Sequence, residues 1–547
     1  MPANKCRINA LRLWKAITLS ATLAVLQGCE TMPKGMADLP FAGQMGAVAP
    51  SLSAPLAPPS QRTWPNVTND VLNQRARGFG LVNAPEMQTY LNSLYTRMKN
   101  QAGVKGWPGS VYILASDSLQ AYATGAGNIY ISLPWLTSVQ SEDELVALLS
   151  HEFGHIYLHF HQLEGAVADA DTTNDWLTLG VAVAKKTAQQ TGWTQVDTLT
   201  TGYMLVRGLV TTVYSRSQES AADHFGLDLT LKMGYSYEHG MKTFLERLAG
   251  WEEKNELREK KQQAQILQAA REQTISSVVQ QSPKANNALS QSLVQTQGEV
   301  IAGFGGAVQQ FFFEVGKVSE KIRGDHPPIG ERIDAMALAI ASAPDLQAEK
   351  EPVTRTLQAA SKDKRTAAIL ANYSLAFGAI KTPNDPESLV KARQSASGVT
   401  ATHAVPLFAV YTVMNARQLL AQKQGRDLSR FLELNFSSEA DRAWKIYQER
   451  SNRLKNEGQT VAAKKVMDQG LGYFKNAEES WPEAIRFYGE IQGWDEAKRM
   501  AEVCGEKFRR VSSRCRQAAA SPSEIAETER RNKAKSDQIS KKLLKTP

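Results

Sequence analysis

The segment His151-Glu152-Phe153-Gly154-His155 constrains this 547-residue chain more than any other. Residues four apart share one face of an α-helix, so both imidazoles can meet a single metal ion only if the segment is helical. The flanking sequence predicts that helix. Ser141 and Glu144 form a capping-box pattern at its start. Leu145, Leu148, Leu149, Phe153 and Ile156 then keep helical spacing, and the pattern runs on to His161. Between the two imidazoles, Glu152 is placed to take a proton from water whose pKa zinc lowers from about 15.7 to about 7. Only eight histidines occur in the chain, so a chance H-E-x-x-H is rare.

Zinc needs a third protein ligand. His161 stands six residues after His155, an offset that works only when the chain turns sharply between them. That turn calls for glycine, which has no Cβ penalty, and Leu158 stands there instead. The better candidate is Glu219 in Glu219-Ser220-Ala221-Ala222-Asp223, predicted to lie on a second helix. Asp223, one turn on, faces the same side and is placed to accept an N–H from a ligating imidazole, which would fix its tautomer. His159, His161, His224 and His239 read as surface or packing residues, and Arg216 as structural.

Tyr214-Ser215-Arg216 followed by Glu219 and Ala222-Asp223, together with H-E-x-x-H, resembles the M48 family of gluzincin metallopeptidases. Gln120-Ala121-Tyr122-Ala123 and Gly127-x-Ile129-Tyr130-Ile131 resemble the strand pair ahead of that family's zinc helix. His326-Pro327-Pro328-Ile329-Gly330-Glu331-Arg332-Ile333 resembles its later H-P-x-x-x-x-R motif. The resemblance runs from about residue 63 to 343, and the stretch 251–321 departs from the shorter members. It implies one Zn²⁺ per chain held by His151, His155 and Glu219, with Glu152 as general base and Asp223 in support. It also implies that His326 approaches the zinc as a gate or assists the oxyanion. Arg332 is left with two roles, binding a substrate carboxylate or forming a structural salt bridge. Zincins lay an extended peptide along a strand edge, and Asn128, Ile129, Tyr130 and Ile131 read as that edge.

The ends of the chain speak to location. Lys5, Arg7, Arg12 and Lys15 precede an apolar run ending in Leu26-Gln27-Gly28-Cys29, which looks like a lipoprotein signal with Cys29 as the acylated residue. Glu30 after it fits an outer-membrane lipoprotein facing the periplasm, the branch of the family that carries tetratricopeptide-like tails. Losing four cations and no acid with residues 1–28 lowers the formal charge from +8 to +4. Most of the remainder sits in the last 27 residues, so nothing resembles a nucleic-acid footprint.

The expected fold is α+β and mainly helical. Its parts are a signal peptide (1–28), a flexible Pro/Ala/Gly/Ser-rich tether (29–65), a metallopeptidase domain with a small sheet (66–343), an all-α, tetratricopeptide-like domain (344–520) and a charged tail (521–547). Within the peptidase domain, 251–321 reads as a helical insertion or lid. Cys504 and Cys515, the pair left outside the leader, are expected to form a disulfide in an oxidising compartment. The expected activity is cleavage of misfolded or stalled envelope proteins, with outer-membrane proteins or their assembly machinery as partners. Two rivals are a periplasmic chaperone or scaffold with a latent zinc site, and a hydrolase of cell-wall material.

Overall fold

The computed structural model describes residues 63–158, 214, 216–254, 328–343, 350–417, 428–525 and 527. Cys29, residues 30–62 of the expected tether, His161, His326 and residues 255–321 of the expected insertion lie outside them.

Helix α1 (Val67–Ala76) starts at Asn66, whose side chain accepts from the Asn69 amide, and α2 (Pro85–Gln101) starts with proline in its first turn. Strands β1 (Val111–Leu114), β2 (Ala121–Ala123) and β3 (Ile129–Ser132) follow. Their order in the sheet is β1-β3-β2, with β3 parallel to β1 and antiparallel to β2. The register aligns Tyr112, Tyr130 and Tyr122 across the three strands. Side chains alternate along a strand, so the three tyrosines share one face, their rings stacked at 5.5 and 5.3 Å. That face meets α1: Tyr122 donates to Gln74 Oε1, and Asp70 Oδ2 accepts from Thr124, Asn128 and Tyr130. Val111, Ile113, Ile129 and Ile131 bury the opposite face, where α2 packs on β1.

This topology corrects one expectation. Ile129, Tyr130 and Ile131 lie in the middle strand, with both backbone sides paired, and Asn128 directly precedes it, so the four do not form an edge. Asn128 is fully buried, its amide on Asp70 and its carbonyl accepting from the Ser110 amide. Among the described residues the free edge on this side is β2. Alternating hydrophobicity marks a strand, but pairing order depends on how the connections cross.

After the short α3 (Leu133–Ser138) comes α4 (Glu142–Tyr157), which carries the H-E-x-x-H segment. Ser141 caps it by accepting from the Glu144 amide at 3.2 Å. Glu144 itself reaches the Gln140 amide at 3.1 Å and the Arg247 guanidinium, not the Ser141 amide. The helix stops at Tyr157 with Leu158 as its cap, short of the expected His161. The acids of its first turn favour the positive end of the helix dipole, and each is buried on partners. Glu142 accepts from Tyr90, Tyr235 and Thr356, and Asp143 from the amides of Ser236 and Val353.

Helix α5 (Arg216–Lys232) crosses α4, and α6 (Ile329–Ala341) packs on α5. The described residues from 350 to 525 form no strand. Their helices are α7 (Arg355–Ser361), α8 (Lys364–Lys381), α9 (Ser388–Ser395), α10 (Ala404–Ala416), α11 (Trp444–Asn456), α12 (Thr460–Tyr473), α13 (Trp481–Gln492), α14 (Trp494–Lys507) and α15 (Ser512–Ala518). Consecutive members pack on one another: α11 on α12, α13 on α14, α14 on α15. Cys504 and Cys515 are joined by a disulfide inside an apolar cluster with Trp481, Ile485 and Val511. No helix among the described residues is long and apolar enough to cross a membrane.

Helix α1 joins this helical region to the sheet. Its Ala76 and Leu72 pack with Trp444, Tyr447 and Phe474. Arg77 just beyond it meets Glu479, which also binds Arg510 and Arg514. Burial alone would raise the Glu479 carboxyl, but Arg77, Arg514 and Arg510 outweigh it and hold it well below the usual carboxylate range. A depressed folded pKa contributes stability that is complete above the unfolded value of about 4.3 and fades as pH falls toward the folded one. The wild type should therefore lose melting temperature below about pH 4.3 more steeply than a Glu479→Gln variant. Thermal scans of both proteins across the acid range test this, and parallel curves would refute it.

Candidate metal centre

Helices α4 and α5 bring the centre together because both are thin where they cross. A Cβ added at Gly154 would stand 3.1 Å from Ala222 Cα, and one added at Gly226 would stand 3.0 Å from the His151 amide nitrogen. A Cβ at either place requires the facing backbone to give by a few tenths of an ångström. The close approach delivers Glu219, from the first turn of α5, to the imidazoles on α4. Gly226→Val should force the helices apart, costing about 1–3 kcal/mol by overpacking, and should lower bound zinc below one per chain. Calorimetry with elemental analysis checks both, and a fully metallated, equally stable variant would contradict the packing argument.

The distances are specific. His151 Nε2 and His155 Nε2 are 3.3 Å apart, and each lies 3.6 Å from a carboxylate oxygen of Glu219. A tetrahedral zinc with bonds of about 2.0–2.2 Å spaces its ligand atoms roughly 3.3–3.6 Å apart, so these three groups fit one ion. All three side chains are buried. His155 lies in a parallel stack on Tyr214, ring centroids 3.6 Å apart and planes at 7°. The His151 ring centroid is 5.7 Å from that of Phe244.

Electrostatics supports the same grouping. Asp223 Oδ1 lies 2.8 Å from His151 Nδ1. Burial lowers the His151 pKa, but Asp223 and Glu219 outweigh it and leave it raised. Burial likewise pushes Asp223 up, yet Arg332 and His151 hold it well below the ordinary carboxylate range. Glu152 is different: burial dominates, and its carboxyl is pushed up to about 7. A carboxylate with that proton affinity can both accept and return a proton near neutral pH.

Arg332 is open between two roles in the sequence, and it makes ion pairs within the protein. Its guanidinium is buried and already bound, donating twice to Asp223 at 2.7 Å and lying 3.2 Å from Glu219. Its donors are thus turned to the protein's own acids, and the salt-bridge alternative holds. Arg216, on the exposed side of α5, lies 3.8 Å from Glu331.

Sequence reasoning missed three contributors. Tyr214 sits in the Tyr-Ser-Arg motif with no role assigned to it; Phe244 carries no local signal; and of the acids Glu142, Asp143 and Glu144 only Glu144 enters the capping pattern. Three acids in the first turn of a largely apolar helix were a readable sign of buried partners.

Beta-barrel assembly-enhancing proteases are similar over a limited stretch. That of Escherichia coli (strain K12) is 24% identical over 171 residues, 31% of this chain and 34% of that protein. That of Yersinia pestis is 24% identical over 172 residues, and a putative one of Vibrio cholerae 24% over 170, with the same coverage. The match thus spans about a third of the length of these relatives. The segment that carries the whole His151, His155 and Glu219 cluster, residues 85–339, matches the model of peptidase family M48, a family of metallopeptidases.

Proposed function

We propose that this chain is a zinc-dependent endopeptidase acting on polypeptides of the bacterial envelope, among them outer-membrane proteins or their assembly machinery. The observation that carries the reading is the spacing of His151 Nε2, His155 Nε2 and Glu219, which matches the corners of one tetrahedral ion. When bound, zinc supplies Lewis acidity toward a peptide carbonyl and toward water.

The chain's own residues do the rest. Glu152, buried and with a carboxyl pushed up to about 7, takes the proton of the attacking water and passes it to the leaving amine. Asp223 fixes the orientation of His151, and Arg332 pairs with Asp223 and with the ligand carboxylate of Glu219. The substrate strand belongs on β2. Gln120 and Thr124 accept from and donate to β3, so the intervening Ala121 and Ala123 turn their backbone groups outward. An extended peptide paired there is held through its own backbone, which tolerates many sequences.

In this reading Cys29 anchors the chain to the outer membrane, facing the periplasm, and the tetratricopeptide-like region 344–520 selects clients. His326 remains the candidate for the group that covers or assists the zinc. Purified protein should carry one zinc and cleave casein or an unfolded porin in a chelator-sensitive way. Protein that stays metal-free in added zinc, or leaves both substrates intact, would end the proposal. Burial favours a second reading, a scaffold with a latent site: His151, His155, Glu152 and Glu219 are each at most 6% exposed.

A further inference from the structure

The Tyr214-Ser215-Arg216 motif has no task in the reading above, yet its tyrosine makes the most intimate ring contact in the centre. Tyr214 is 3% exposed and lies face to face on His155 at 3.6 Å and 7°. The imidazole of His151 stands edge-on to that of His155 at 89°. His155 is therefore covered on one face while its edge carries Nε2 toward His151 and Glu219. A flat neighbour in that position opposes rotation of the imidazole about its last torsion, the motion that would swing Nε2 out of the cluster. That torsion is otherwise broad.

Chain position strengthens the point. Tyr214 lies two residues before α5, and Glu219 lies in the first turn of α5. One short stretch thus brings both the third carboxylate and the surface that orients the second imidazole. Docking that stretch against α4 completes the centre in a single step, whereas a separate source for either group would need two independent alignments.

We infer that Tyr214 is a positioning residue for the metal centre, acting through the face of its ring and not through its hydroxyl, by holding His155 Nε2 on the cluster. The inference rests on the zinc reading of that cluster. Groups that hydrogen-bond to metal ligands typically account for 10–100-fold in metal affinity, and a stack that restrains the same imidazole is expected to act at the low end of that range.

The test compares Tyr214→Leu, which keeps bulk but removes the flat face, with Tyr214→Phe, which keeps the face but removes the hydroxyl. Zinc affinity is measured by chelator competition, and the visible ligand-field bands of the Co²⁺-loaded proteins report ligand geometry apart from activity. Tyr214→Leu should bind zinc about tenfold more weakly, with shifted Co²⁺ bands. Tyr214→Phe should stay within about twofold of the wild type, with unchanged bands. Wild-type affinity and bands in Tyr214→Leu would overturn the inference. So would a tenfold loss in Tyr214→Phe, which decides the matter alone if the leucine variant does not fold. Wild-type protein that takes up neither zinc nor cobalt would instead remove the metal reading itself, a result separable from either failure.

Discussion

Glu152→Gln should retain its zinc and its fold while losing peptidase rate by about 10²–10⁴-fold. Glutamine has nearly the same shape but cannot accept the proton that the attacking water must give up. Glu152 is not one of the three clustered ligand groups, so metal content should remain at one per chain. Stability should not fall either. Burial already disfavours the Glu152 charge, pushing its carboxyl up to about 7, and a neutral amide removes a charge from a site rich in acids. The experiment pairs casein turnover with metal analysis and a melting curve. Unchanged turnover would show that another group moves the proton, and loss of zinc would place Glu152 among the ligands. Envelope function that survives in cells carrying the variant would favour the scaffold reading over hydrolysis.

Arg332→Met is expected to destabilise the metal-free protein by about 3–5 kcal/mol, the cost of leaving buried charges without their partner. Two acids lose their cation at once, because the guanidinium donates twice to Asp223 and lies against Glu219. With Glu152 the centre holds three carboxylates against one guanidinium. If all are ionised the excess is two negative charges, the charge that a divalent ion cancels. Excess zinc should consequently raise the melting temperature of Arg332→Met by more than it raises that of the wild type. If Arg332 instead served substrate, the variant would melt normally and show only a weakened KM. Calorimetry of apo and zinc-loaded forms distinguishes the two.

Much of the centre could be read from local pattern. H-E-x-x-H predicts a helix, and α4 is one; Ser141 caps it as its residue type suggests. Leu158 in place of glycine argued against His161, and Glu219 does lie beside His151 and His155. Such inferences succeed because helical spacing and capping depend on residues a few positions apart. The sheet was legible only in part. The segment Ile129-Tyr130-Ile131 points to a strand, but not to its insertion between the other two.

What the sequence by itself determined is the chemical inventory: two imidazoles on one helical face, a carboxylate beside them, and acids on a second helix. Tertiary structure alone decided the rest, namely that Gly154 and Gly226 let the helices approach and that Arg332 turns inward to Asp223 and Glu219. It also decided that Tyr214 covers His155 and that, among the described residues, β2 is an outer strand of the sheet. Those outcomes depend on excluded volume and charge pairing between segments as far as 109 residues apart in the case of Arg332 and Asp223, and no periodicity along the chain encodes which distant surfaces will meet.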